Sequence, residues 1–427
     1  MRREVETVAP TDTRWLPWPK RIDIALLCFV AVFISHCDRI NMSVAAPQIM
    51  KQRGWSTAEM GWVFSSFFFG YTTFMVLSGY LSDRFGPRGV LGFSVASWSI
   101  FTGLTPFPTT MLGMILVRAL IGVGESGTNP ATNSLLVRWF PPREYSRATS
   151  FALSGSYAGP IFAFPLAATI MAVWGWPAVF YVFASFGAVW IPLWLLFSSD
   201  RPENTSSVSP AELQYILDGR PKIEGRVEVP WRRMVFLPAF WGVASLHFSS
   251  NWLYYVLATW LPTYLMAERQ FSLAAMGVGA ALPFLSAWLG TNLFGFLIDR
   301  CSLGRDRTRV RKYFVVVFML TASILVVLPT VSGPPAIVGL LCLAMLVLTS
   351  ATPIINSGSL DIAPRYAGTF MGMQNSFANL TGLTVPVITG YVVSSFGWTP
   401  AFWITAAAIV IGGSIYLCLG RAEKLLD

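Results

Sequence analysis

Twelve apolar runs, each long enough to cross a bilayer and separated by polar segments, constrain this chain most. They fall at roughly 22–44, 60–81, 89–106, 110–137, 147–172, 176–197, 236–266, 272–298, 313–330, 336–358, 367–394 and 399–420. A hydrocarbon core of about 30 Å needs about 20 mostly apolar residues per helix, with every backbone group paired inside the segment. The runs predict an all-α polytopic membrane protein. Composition agrees, since 12% of the 427 residues are charged and 54% hydrophobic, whereas a soluble domain carries about 25% charged residues. Disordered chains and secreted scaffolds are excluded. The five cysteines (Cys28, Cys37, Cys301, Cys342 and Cys418) show no paired spacing, and there are two histidines. Neither a disulfide framework nor a metal or cofactor site is expected.

The net charge of +9 invites a nucleic-acid reading until the basic residues are placed. With the N-terminus inside, 25 of the 30 Lys and Arg fall in inner segments, and only Lys51, Arg53 and Arg269 fall outside. By the positive-inside rule this bias predicts that both termini are cytoplasmic, so the excess charge is a topology signal. The first apolar run follows a polar, basic start and continues into a span, which predicts an uncleaved first helix.

One long polar stretch, rich in charge and proline, separates six spans from six. The predicted organisation is a tail over 1–21, a six-helix bundle over 22–197, a cytoplasmic linker over 198–235, a second six-helix bundle over 236–420 and a tail over 421–427. The halves echo each other. Gly79-Tyr-Leu-Ser-Asp83-Arg84-Phe-Gly86-Pro-Arg88 follows the second span, and Gly295-Phe-Leu-Ile-Asp299-Arg300 follows the eighth, with Gly to Gly and Asp to Asp both offset by 216.

The two Lys or Arg left over, Arg39 and Arg118, lie inside spans, as do Asp38 and Glu125. Charges at that depth are costly and by default mark an ion or substrate path. Arg118 and Glu125 are seven residues apart and share a helix face. A guanidinium stays charged and can hold a carboxylate bidentately. A carboxylate deprived of such a partner can take up a proton. A carboxylate substrate competing for the arginine would link its own binding to protonation. No phosphate-binding loop and no nucleophile–base constellation is present, so neither direct ATP drive nor an enzyme is expected.

The Gly79–Arg88 loop and its half-match after the eighth span resemble the signature loops of the major facilitator superfamily. That resemblance implies two pseudo-symmetric six-helix bundles working by alternating access. It also implies a conformational latch formed by Gly79, Asp83, Arg84, Gly86 and Arg88 with Asp299 and Arg300. Asp38-Arg39-x-Asn41-x-Ser-Val-Ala and Arg118-Ala-x-x-Gly122-x-x-Glu125 resemble the first and fourth spans of its anion:cation symporter family. Trp139-Phe-Pro-Pro-Arg143-Glu144 and Asp361-Ile-Ala-Pro364-Arg365-Tyr-Ala-Gly368 are similar to that family's loops after spans four and ten. The family includes bacterial D-galactonate and other sugar-acid proton symporters and is related to sialin and the vesicular glutamate transporters.

The resemblance implies that Arg39 contacts the substrate carboxylate, Arg118 holds Asp38, and Asp38 and Glu125 carry protons. It also places Tyr71 and Asn375 at substrate-contact positions. His36 stands where the sugar-acid symporters have Tyr, and Ser156 where they have Gln, so a related but different anion is expected. On the seventh span, His247, Asn251 and Tyr254 share one face. The first external loop is short and lacks a glycosylation sequon, unlike that of animal relatives, which favours a bacterial inner membrane. The expectation is a monomeric importer of a sugar acid or small hydroxylated carboxylate by proton symport. The rivals are an aromatic-carboxylate symporter, a proton-driven efflux antiporter and, remotely, a transporter-like membrane sensor.

Overall fold

The computed structural model describes residues 18–218 and 230–426. Arg2, Arg3, Arg14, Arg220, Lys222 and Arg226, counted above for topology, lie outside the described residues, as does Asp427. Twelve membrane-length helical segments follow one another: α1 (Lys20–Arg53), α2 (Thr57–Phe85), α3 (Pro87–Leu104), α4 (Met111–Trp139), α5 (Pro142–Trp174) and α6 (Trp176–Phe197) in the first half. The second half holds α7 (Pro238–Thr263), α8 (Leu273–Ser302), α9 (Arg307–Thr330), α10 (Pro334–Ile362), α11 (Ala367–Phe396) and α12 (Trp398–Leu419). Among the described residues, nine are apolar enough to cross a membrane by length and composition alone. Polar residues dilute the other three, α1, α3 and α7.

The ends are set by local chemistry. Ser56 and Glu59 form a capping box at the start of α2, satisfying amide groups that a helix N-terminus leaves unpaired. The turn from α2 to α3 runs through Gly86 at φ 96°, a region other residues adopt at a cost. A Cβ there would also meet the Asp200 carboxylate at 2.7 Å. Asp200 accepts from the Arg88 amide at 2.9 Å, and the Arg88 side chain donates to Ser198 Oγ and Leu195 O. Gly86 and Arg88 thus tie the α2–α3 turn to the end of α6.

A short linker helix, Pro210–Asp218, docks under the first bundle. The Glu212 carboxylate accepts from the amides of Lys20 and Arg21 and pairs with the Arg21 guanidinium at 3.1 Å. Arg21 also reaches Glu144 at 3.1 Å, and Tyr215 donates to Glu144 at 2.8 Å. Partial burial, and then the Glu144 carboxylate it bonds, raise the Tyr215 phenol above its ordinary pKa.

The halves meet most closely at the end away from the termini. There Thr57 Oγ1 donates to Gly390 O at 2.9 Å, Ser65 bonds Leu383 O, and Trp260 Nε1 donates within the second half to Pro386 O at 3.2 Å. Phe64 meets Trp260 edge-on at 5.1 Å, and Phe164 of α5 meets Phe284 of α8 at 5.5 Å. A Cβ on Gly61 would lie 2.6 Å from Pro386 O, so α2 and α11 touch nearly backbone to backbone. Toward the terminus-bearing end Asp83, Asp299 and Arg300 are exposed. Asp83 accepts from Ser134 of its own bundle at 3.4 Å, and Arg84 donates to Tyr80 one turn back. Among the described residues, no hydrogen bond or ion pair joins the two signature loops. The cleft is shut at the far end and parted at the near one.

Candidate functional site

Above that parted end lies a narrow cavity lined by His36, Arg39 and Ile40 of α1, Phe64, Phe67 and Phe68 of α2, Arg118 of α4, Pro160 of α5, and Tyr254, Tyr255, Ala258 and Thr259 of α7. Close backbone packing builds its first-half wall. A Cβ on Gly70 would meet Ala119 O at 2.1 Å, and one on Gly122 would meet Phe67 O at 2.0 Å. The absent side chains let α2 and α4 approach until Phe67 and Tyr71 lie beside the charges of α1 and α4. Immediately after Glu125 the α4 helix is interrupted at Ser126–Gly127 before resuming at Thr128.

The four intramembrane charges converge here, but not in the expected pairs. Arg39 Nε donates to Glu125 Oε2 at 2.8 Å, and Ser35, one turn before Arg39, donates to the same oxygen at 3.0 Å. The Arg39 guanidinium lies over the rings of Tyr71 at 4.7 Å and Phe67 at 5.2 Å. Its remaining N–H groups have no partner among the described residues and border the cavity. Tyr71 is held in turn by Asn129, which donates to its hydroxyl at 3.1 Å.

The Arg118–Asp38 ion pair is not formed. Arg118 lies over the Phe67 ring at 5.1 Å, and its Nε and Nη1 are buried without partners. Asp38 is 1% exposed; its Oδ1 accepts from Asn41 at 3.3 Å, while Oδ2 has no ion-pair partner and has the Trp98 indole N–H as its neighbouring donor. The charges acting on Asp38 are Glu125 and Arg118. Phe67 therefore takes the Arg118 guanidinium by its π face, a contact weaker than a desolvated ion pair. Two opposite charges are left unpaired within electrostatic reach of each other.

The other expected residues divide. His36 lines the cavity, with Nδ1 donating to Val32 O at 2.9 Å, so Nε2 is the ring atom left for a ligand. Ser156 is half-buried and donates to Leu153 O of its own helix at 2.7 Å. Asn375 is half-buried on α11, and neither it nor Ser156 lines the cavity. Two residues the sequence reading passed over shape the site: Phe67, which carries both guanidinium groups, and Ser35. Both had a signal, since Ser35 lies four residues before Arg39 and Phe67 four before Tyr71, a spacing that puts each pair on one face.

Residues 28–386 match the Major Facilitator Superfamily. The chain belongs to the major facilitator superfamily. It is 34% identical to the chloroplastic ascorbate transporter of Arabidopsis thaliana, over 97% of this chain and 77% of that one. It is 32% identical to a probable sulfoacetate transporter of Cupriavidus necator, over 91% of each. Among solved structures, a bacterial homologue of the human lysosomal transporter Spinster, in an inward-facing and unoccupied conformation, aligns with TM-score 0.79 and 16% identity, over 95% of this chain and 98% of that one. The protein is thus a multi-pass membrane transporter of the superfamily's anion-transporting branch, not an enzyme.

Proposed function

We propose that this protein imports an organic anion, a sugar acid or small hydroxylated carboxylate, by proton symport with alternating access. The observation that carries the reading is the ion pair between Glu125, fully buried, and Arg39, which lines the inter-bundle cavity. Arg39 spends one N–H on Glu125 and keeps the others for a ligand, so a substrate carboxylate competes with Glu125 for one guanidinium. When the substrate takes Arg39, Glu125 loses its counter-charge in a water-poor site and a proton neutralises it. When substrate and proton leave, the pair re-forms and the empty carrier resets without an exposed charge. Asp38 and Arg118 form the second charge couple, whose pairing changes as α1 and α4 shift, with Asp38 as its proton carrier. Two relatives named for ascorbate and sulfoacetate support the anion class.

With both termini taken as cytoplasmic, as the positive-inside bias of the sequence expects, the parted end faces inward. Asp83, Arg84, Asp299 and Arg300 then belong to loops that meet when the carrier opens outward. The aromatic wall of Phe67, Phe68, Tyr254 and Tyr255 supports a second reading, an aromatic carboxylate as cargo.

Reconstitution into proteoliposomes and uptake of a panel of sugar acids, short hydroxy acids and aromatic acids tests both. The first reading expects accumulation of a hydroxylated acid only under an inward proton gradient. Preference for the aromatic acids supports the second, and accumulation indifferent to the proton gradient contradicts symport.

A further inference from the structure

The charges of the site all belong to the first bundle, so the second bundle must read the rest of the ligand with neutral groups. One pair there is defined well enough to assign its hydrogens. Gln374 of α11 is fully buried, and its Nε2 donates to Ile355 O of α10 at 3.3 Å. A backbone carbonyl only accepts, which fixes the orientation of the amide. The same Nε2 lies 3.2 Å from His247 Nδ1 of α7, so that ring nitrogen is the acceptor and the hydrogen sits on Nε2. His247 is half-buried and its Nε2 has no partner among the described residues, whereas Gln374 Oε1 is buried without a partner. Among the described residues, no charged side chain pairs with the ring. His247 is thus held as an N–H donor through Nε2 by an amide whose own oxygen goes unpaired, a costly arrangement for packing alone.

The position matters as much as the chemistry. His247 is seven residues before Tyr254, two turns along the same face of α7 and about 10 Å toward the parted end. Tyr254 lines the cavity beside Arg39. This face of α7 leads from the cavity beside Arg39 toward His247.

We propose that His247 is a ligand contact in the second bundle. It donates Nε2–H to a hydroxyl or carbonyl oxygen at the far end of the anion, with Gln374 as its positioning residue. The proposal rests on the anion reading above and adds the end of the substrate that the first bundle does not hold.

The chain has two histidines, so in the unsubstituted parent, labelled with imidazole-¹⁵N histidine in nanodiscs, the resonances that His247→Leu removes report His247 alone. The spectrum should show the Nε2–H tautomer, and Gln374→Leu should lose that preference. The Nδ1–H tautomer in the parent would overturn the assignment. Saturating D-gluconate, and separately acetate as the carboxylate without hydroxyls, are then added, with binding measured in parallel by calorimetry. D-Gluconate should shift the His247 resonance and acetate should not. His247→Leu should weaken D-gluconate binding roughly 5- to 20-fold and leave acetate binding unchanged. His247→Gln, which keeps an N–H donor, should recover part of the loss. D-Gluconate binding that leaves the resonance and the His247→Leu affinity unaltered overturns the contact. Binding of neither acid in the parent overturns the anion reading instead, and with it the assignment of the ligand.

Discussion

The two bundles face each other across one cavity with opposite chemistry. The first presents Asp38, Arg39, Arg118 and Glu125, a set that sums to zero charge but is only half paired. The second lines it with Tyr254, Tyr255 and Thr259 and carries His247 and Gln374 nearer the parted end, all uncharged and largely fixed by hydrogen bonds: Tyr255 donates to Asn379 at 3.2 Å, and His247 is held by Gln374. The unpaired charges are all on one side. A carrier that must exchange partners during its cycle needs alternatives of comparable energy, and incompletely satisfied ionic groups supply them. A surface that only recognises shape and hydroxyls works better when its donors are fixed in advance. Under the proposed symport, the difference gives energy coupling to the first bundle and ligand discrimination to the second.

Substitutions can break that division, and the largest effect should come from Arg39. Arg39→Ala removes both the ligand clamp and the partner of Glu125, so anion uptake should fall by about 100-fold or more in a proteoliposome assay. Retention of substantial uptake would end the clamp role. Glu125→Gln should divide two readouts: counterflow exchange persists, while accumulation driven by a proton gradient drops about 10-fold or more, toward equilibration. Uptake by the parent should rise as external pH falls, because the proposed cycle takes up a proton with the anion, and this dependence should flatten in the Glu125→Gln variant. Phe67→Leu removes the ring beneath both guanidinium groups while keeping bulk. It should raise KM about 3- to 10-fold through loss of cation–π contact. The smallest effect belongs outside the cavity. Glu212→Gln at the linker helix should lower stability by only about 1 kcal/mol in a thermal-shift measurement and leave KM in place. A large transport defect there would bring the linker into the mechanism.

Much of this was legible in the chain, and the limits follow from helix geometry. Span count and placement come from hydrophobic length, which the bilayer enforces, so the twelve runs reappear as twelve helical segments. The identity of the charged residues came from their scarcity. Which charge pairs with which did not, because the choice depends on helix rotation and separation. Asp38 and Arg39 are about 100° apart around α1, and the observed rotation gives Glu125 to Arg39 and leaves Asp38 facing Arg118 unpaired. The same angle separates Gln374 from Asn375. Resemblance singled out Asn375, whereas burial and hydrogen bonding single out Gln374, and no local pattern in an apolar run distinguishes the two. The parted end of the cleft was equally illegible, because one sequence serves every state of an alternating-access cycle.

Competition between a substrate carboxylate and Glu125 for Arg39 is the core of the account, and proton movement on substrate addition reads it directly. Proteoliposomes loaded with a pH-sensitive dye, at equal pH inside and out, should acidify internally when a transported anion is added outside. The signal should vanish in the Glu125→Gln variant while isotope exchange of the same anion continues. Anion entry with no acidification, or acidification unchanged in Glu125→Gln, would contradict it.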